Sequence, residues 1–100
     1  MKDMERTYTV AWDIYGNRAV VECVEGYPIR GIVLPAESKN TLPDDIAALE
    51  SGTPPQGGMM MGTGMCLSIV ESPRSIVVRK GEIECGRELT DEEKGYLTAR

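Results

Sequence analysis

Five residues with soft sulfur ligands fall within eight positions of one another: Met59, Met60, Met61, Met65 and Cys66. Clustered thioethers with a thiolate could chelate Cu(I), and the same side chains make an adaptable, polarizable contact surface. The three consecutive methionines lie in Thr53-Pro54-Pro55-Gln56-Gly57-Gly58-Met59-Met60-Met61-Gly62-Thr63-Gly64. Its prolines and glycines oppose regular backbone pairing, yet it is too apolar for an ordinary solvated linker. In an extended segment adjacent residues point to opposite faces, so neighbouring methionines do not converge on one ion, and the expected role of Met59, Met60 and Met61 is contact with a partner. Gly57-Gly58 and Gly62-Thr63-Gly64 suggest a backbone nest for phosphate. No lysine follows them, and the next segment reads as a strand, so neither the P-loop nor the dinucleotide-binding pattern is met.

The chain has no histidine. The commonest general base and metal ligand is therefore missing, which excludes Ser-His and Cys-His catalysis within the chain. Cys23, Cys66 and Cys85 are odd in number and lack C-x-x-C spacing, so they fit neither a disulfide framework nor a zinc site. Each sits in an apolar run and is expected to pack as a buried, reduced thiol. Catalysis by carboxylates alone needs two of them across a cleft, for which a small domain has little room. The chain is therefore read as non-enzymatic, with no cofactor and no resident metal.

Acidity is concentrated near the C-terminus. Glu82, Glu84, Glu88, Asp91, Glu92 and Glu93 face a single base, Arg87, a local charge of −5 that equals the formal net charge of the whole chain. Such a stretch repels nucleic-acid phosphates, whose affinity is supplied by Lys and Arg. It would instead attract a basic protein surface and speed encounter with it. Glu88, Asp91, Glu92 and Glu93 are the residues expected to meet such a partner. The bland reading is a solvated helix start, where acids are favoured by the dipole.

At 100 residues the chain is expected to form one small domain, 1–100, with a thin core. With no Phe, one Trp and four Tyr, that core rests on Val, Ile, Leu and Met, which leaves room for stabilisation by a homodimer. No apolar run approaches the roughly 18 residues of a membrane span, and the N-terminus lacks a signal-peptide core. A cytoplasmic protein without a membrane partner is expected.

The elements that must position these residues follow from periodicity. Tyr8, Val10, Trp12 and Ile14 alternate with polar or small residues at period two, predicting a strand from Thr7 to Tyr15. Gly16-Asn17 suits a two-residue hairpin turn. Pairing Tyr15 with Arg18 then sets Trp12 opposite Val21, Val10 opposite Cys23 and Ile14 opposite Ala19. A one-residue slip would put Arg18 and Glu22 on the Trp12 face. Ile29 to Leu34, closed by Pro35, suits a third strand near an edge.

Thr41 to Gly52 predicts a short helix, with a cap at Thr41 or Leu42, Pro43 and two acids in the first turn, and Gly52 past the end. Its apolar stripe is Leu42, Ile46 and Leu49. A meander of strands is expected over Met65 to Glu71, Ser75 to Arg79 and Glu82 to Cys85. It would place Leu67, Ile69, Ile76, Val78, Ile83 and Cys85 on one face. Thr90-Asp91-Glu92-Glu93 is a capping box for a terminal helix through Tyr96 and Leu97.

Together these predict an α+β fold: an antiparallel sheet of about five to six strands in the order β-β-β-α-loop-β-β-β-α, with two short helices on one side and a flexible Gly/Pro/Met loop at 53–64. The expected function is a small acidic protein-interaction module, inhibitor or regulatory in type, that covers a basic surface on a larger partner without binding nucleic acid directly. Small inhibitors of host defence encoded by phages and mobile elements share this general profile. The alternative is a small-ligand or soft-metal (Cu(I)) binder using the Met-Gly loop.

Overall fold

The computed structural model describes residues 5–73, 75–79, 82–85, 91 and 96, with the side chains of 82–85 outside the description. The chain runs β1 (Arg6–Trp12), β2 (Arg18–Val24), β3 (Tyr27–Leu34), α1 (Leu42–Ser51), β4 (Met59–Met60), α2 (Thr63–Val70), β5 (Ile76–Arg79) and β6 (Glu82–Cys85). The strands make one antiparallel sheet in the order β4-β3-β2-β1-β5-β6. The α+β class and the antiparallel sheet with two short helices agree with the expectation from sequence.

The first hairpin forms, but in a different register. Val10 pairs with Val20, Ala11 with Ala19 and Trp12 with Arg18, so Arg18 and Glu22 do lie on the Trp12 face. The connection explains the shift. Asp13 accepts the backbone N–H groups of Tyr15 and Asn17 at 2.8 and 3.0 Å and the Asn17 side-chain amide at 2.9 Å. A five-residue loop, Asp13 to Asn17, therefore replaces the expected two-residue turn. Gly16 takes a φ of 87° within it, and Ile14 and Tyr15 are exposed there, not in a strand. The tighter turn falls between β2 and β3, where Glu25 and Gly26 both have positive φ, as a two-residue hairpin of primed type requires. β3 is longer than expected and carries a register shift opposite Glu22/Cys23, which leaves Ile29 as an extra residue in the ladder.

Successive strand residues face opposite sides; among the described residues α1 covers one side and α2, a helix not expected from sequence, covers the other. Tyr8, Val10, Val20, Ile32, Leu34, Ile76 and Val78 pack against Leu42 and Leu49 of α1, with Trp12, Ile46 and Tyr96 half-buried beside them. Full burial of each large aliphatic side chain in such a layer contributes about 1.5–3 kcal/mol. Val21 and Cys23 face the other way and pack against Cys66, Met61, Ile69 and Val70. Val10 and Val21 are thus both core residues, but on different faces.

α1 follows its expected chemistry. The Thr41 N–H donates to Asp44 Oδ2 at 3.0 Å, and Gly52 closes the helix in the left-handed region at φ 76°. Leu42 and Leu49 are buried and Ile46 packs beside them as expected, and Asp45 is buried with them. The segment predicted as the strand Met65 to Glu71 is helical as α2, and the expected common face of Leu67 and Ile69 with β5 does not form. The physical reason is topological: the chain must pass from β4 at one edge to β5 beyond β1, and the Val21/Cys23 face needs a cover on the way. β5 and β6 pair as the meander predicted, Val78 with Ile83 and Ile76 with Cys85. The terminal helix from Thr90 through Leu97 lies outside the described residues, apart from Asp91 and Tyr96.

Candidate functional site

The Gly/Pro/Met segment is not uniformly irregular. Met59 and Met60 form β4, pairing with Val33 and Ile32, and α2 begins at Thr63. Because β4 closes the sheet on one side, its outer backbone edge has no strand partner among the described residues, and the two methionines stand out from it. Met59 is 66% and Met60 41% exposed. α2 extends this apolar surface, since five of its eight residues are apolar and only one side can face the sheet. Met65 and Leu67 are accordingly 57% and 45% exposed.

Met61 departs from its two neighbours. Its N–H donates to the Gly31 carbonyl at 2.9 Å, and its side chain packs into the Val21, Cys23 and Cys66 cluster. Of the three methionines expected to meet a partner, Met59 and Met60 are presented and Met61 is turned inward. Of the expected acidic contacts, Asp91 is exposed. Glu88, Glu92 and Glu93 lie outside the described residues, as do the side chains of Glu82 and Glu84.

The titratable groups buried on the α1 face were not legible as a site, and their geometry shows how they are spent. Glu22 is fully buried and accepts hydrogen bonds from Arg6 and Arg30, which lie on the neighbouring strands. Burial opposes its ionisation, but the bonds and charges of Arg30 and Arg6 outweigh that penalty and hold its carboxyl below the ordinary value. Arg18 donates through Nε to Asp45 Oδ2 at 3.1 Å and through Nη2 to the Asn40 carbonyl at 2.9 Å. Its guanidinium lies 4.3 Å from the centre of the Tyr96 ring. The Tyr96 hydroxyl donates to Asp45, and the ring meets Trp12 edge-on at 5.9 Å. Burial, then the Asp45 charge, pushes the Tyr96 hydroxyl well above its usual range.

Each of these carboxylates is tied to a cation and to further donors, which favours a structural use over proton transfer. The Tyr8 hydroxyl is the exception: it is buried without a hydrogen-bond partner among the described residues, and burial followed by Glu22 pushes its pKa up. Among the described residues no group of three or more Cys, Asp or Glu is placed to hold a metal ion. No helix there is long and apolar enough to cross a membrane. Compared with protein-family models, curated proteins and solved structures, the chain finds no match.

Proposed function

We propose that this chain is a non-enzymatic interaction module of the inhibitor or regulatory type, grasping a protein partner through β4 and α2 and drawn to it by negative charge. The carrying observation is the exposure of Met59, Met60, Met65 and Leu67 on one edge strand and the helix that follows it. Large apolar side chains grouped in this way mark contact sites more often than isolated surface hydrophobes do. Thioethers suit a surface that adapts to its partner. The net charge of −5 supports a partner with a basic surface over nucleic acid. Glu88, Asp91, Glu92 and Glu93 are the proposed rim that steers encounter, in a cytoplasmic setting.

The test is affinity capture with the full chain, followed by binding kinetics on the partner obtained. Met59→Ser/Met60→Ser should leave the melting temperature unchanged and speed dissociation; Met61 is left intact because it packs inward. Glu88→Gln/Glu92→Gln/Glu93→Gln should slow association and flatten its salt dependence. Gln at 93 keeps any capping role. Kinetics indifferent to both sets of changes would overturn the reading.

A further inference from the structure

The α2 face of the sheet holds a sulfur cluster that the proposed contact surface does not use. Cys23 comes from β2 and Cys66 from α2; both are free thiols and only 2% exposed. Met61, from the bend between β4 and α2, packs against the same cluster. Gly31 is its floor. A Cβ at that position would lie 2.6 Å from Met61 Cε and 3.0 Å from Cys66 Sγ, so the thioether arm and the thiol end over one point of the sheet. Cys23 and Cys66 pack in one buried cluster, and the buried Thr9 lies diagonal to Cys23 on the same face of the β1–β2 pair. Two thiols, a thioether and a hydroxyl are thus gathered from β1, β2 and the β4–α2 segment on one face of the sheet.

We infer that Cys23, Cys66 and Met61 bind one soft monovalent cation of the Cu(I) class. Thiolate and thioether sulfur select that ion over harder divalent metals. Binding replaces the two thiol protons, which leave to solvent, with the cation; no electron is transferred. Because two thiol protons are released on binding, affinity for the ion rises with pH. From its place diagonal to Cys23, the Thr9 hydroxyl would donate to the Cys23 thiolate and offset part of the negative charge left by two thiolates around one monovalent ion. Met61, half-buried where its partners are buried, stands at the point of entry. Met59, Met60 and Met65 point outward and take no part.

The experiment titrates reduced, full-length protein with Cu(I) in acetonitrile, without oxygen, against a chromophoric Cu(I) chelator. The native chain should withhold one Cu(I) from the chelator. Cys23→Ser and Cys66→Ser should each abolish retention, whereas Cys85→Ser and Met59→Ser/Met60→Ser should leave it unchanged. Thr9→Val, which keeps the side-chain volume, should weaken binding by about 10–100-fold, the usual effect of losing an outer-sphere hydrogen bond. Copper-edge X-ray absorption on the unmutated protein reads the ligands without any variant having to fold, and a first shell of sulfur alone is expected. No retention by the folded native chain, a shell containing nitrogen or oxygen, or retention that survives both cysteine changes would overturn the inference.

Discussion

Replacing Gly31 by Ala tests the least expected part of the fold, the seating of α2 on the sheet. Gly31 needs no unusual backbone angle, so Ala is conformationally allowed there, and in a strand it would ordinarily add up to about 1 kcal/mol by restricting the unfolded chain. Against that gain stands the space above the residue. The new methyl would sit 2.6 Å from Met61 Cε, 3.0 Å from Cys66 Sγ and 3.0 Å from the Val20 carbonyl oxygen. Met61 ends in a flexible arm and can swing aside. The Val20 oxygen belongs to the backbone of β2 and cannot, so Cys66 and with it α2 must lift by a few tenths of an ångström. Overpacking of this kind costs about 1–3 kcal/mol, so strain exceeds the backbone gain and a net loss of about 1–2 kcal/mol remains. In a domain of this size each kcal/mol moves the melting temperature by about 4–8 °C. Thermal unfolding followed by circular dichroism should therefore show Gly31→Ala melting clearly lower. Adding Cys66→Ala, which removes the Sγ, should cost less in that background than in the native one, a coupling of about 0.5 kcal/mol or more. A Gly31→Ala protein melting at or above the native temperature would refute the placement of α2 over Gly31.

Asp45→Asn should lower stability by about 3 kcal/mol, near the bottom of the range for breaking a buried pair, because Asn retains part of the hydrogen bonding but leaves the buried Arg18 charge uncompensated; a urea midpoint matching the native one would contradict this. Glu22 sets a pH dependence with a definite sign. Its carboxyl is held below the ordinary 4.5, so the unfolded chain takes up the proton first, and its contribution is complete above that value and lost as pH falls through the lower folded value. Melting temperatures measured between pH 7 and pH 3 should drop more steeply for the native protein than for Glu22→Gln, and parallel curves would show that Glu22 is not held ionised in the fold.

Much of the sheet was legible from sequence because its strands are bounded by turn residues and alternate in polarity. α1 was legible from Pro43, the acids that follow it and Gly52. The segment Met65 to Val70 was not. A short run such as Met-Cys-Leu-Ser-Ile-Val satisfies strand and buried-helix templates alike, and what decides is tertiary: β4 and β5 lie on opposite sides of the β1–β3 core of the sheet, and a bare Val21/Cys23 face needs a cover. Gly31, a glycine inside strand β3 between Ile29 and Ile32, was the available sign that something approaches that face closely. The inward turn of Met61 was hidden for the same reason, since it depends on the Gly31 carbonyl that receives its N–H. Cys23 and Cys66, 43 residues apart in sequence, carry no local signal of being neighbours.

The register of the first hairpin shows how polar residues can override the apolar pattern. Hydrophobic pairing alone favours Trp12 opposite Val21 and Val10 opposite Cys23, with Arg18 and Glu22 on the other side of the sheet. In that arrangement both charges would lie under α2, against the apolar cluster that holds Cys66, Met61 and Ile69. The native register turns them toward α1. There Arg18 reaches Asp45 and the Asn40 carbonyl, and Glu22 lies between Arg6 and Arg30. Asp13 closes the five-residue loop that this register requires. A buried charge without a partner costs far more than one imperfect apolar contact. The two ion-paired clusters therefore fix which face each strand residue occupies, and Val21 and Cys23 are delivered to the α2 side as a consequence.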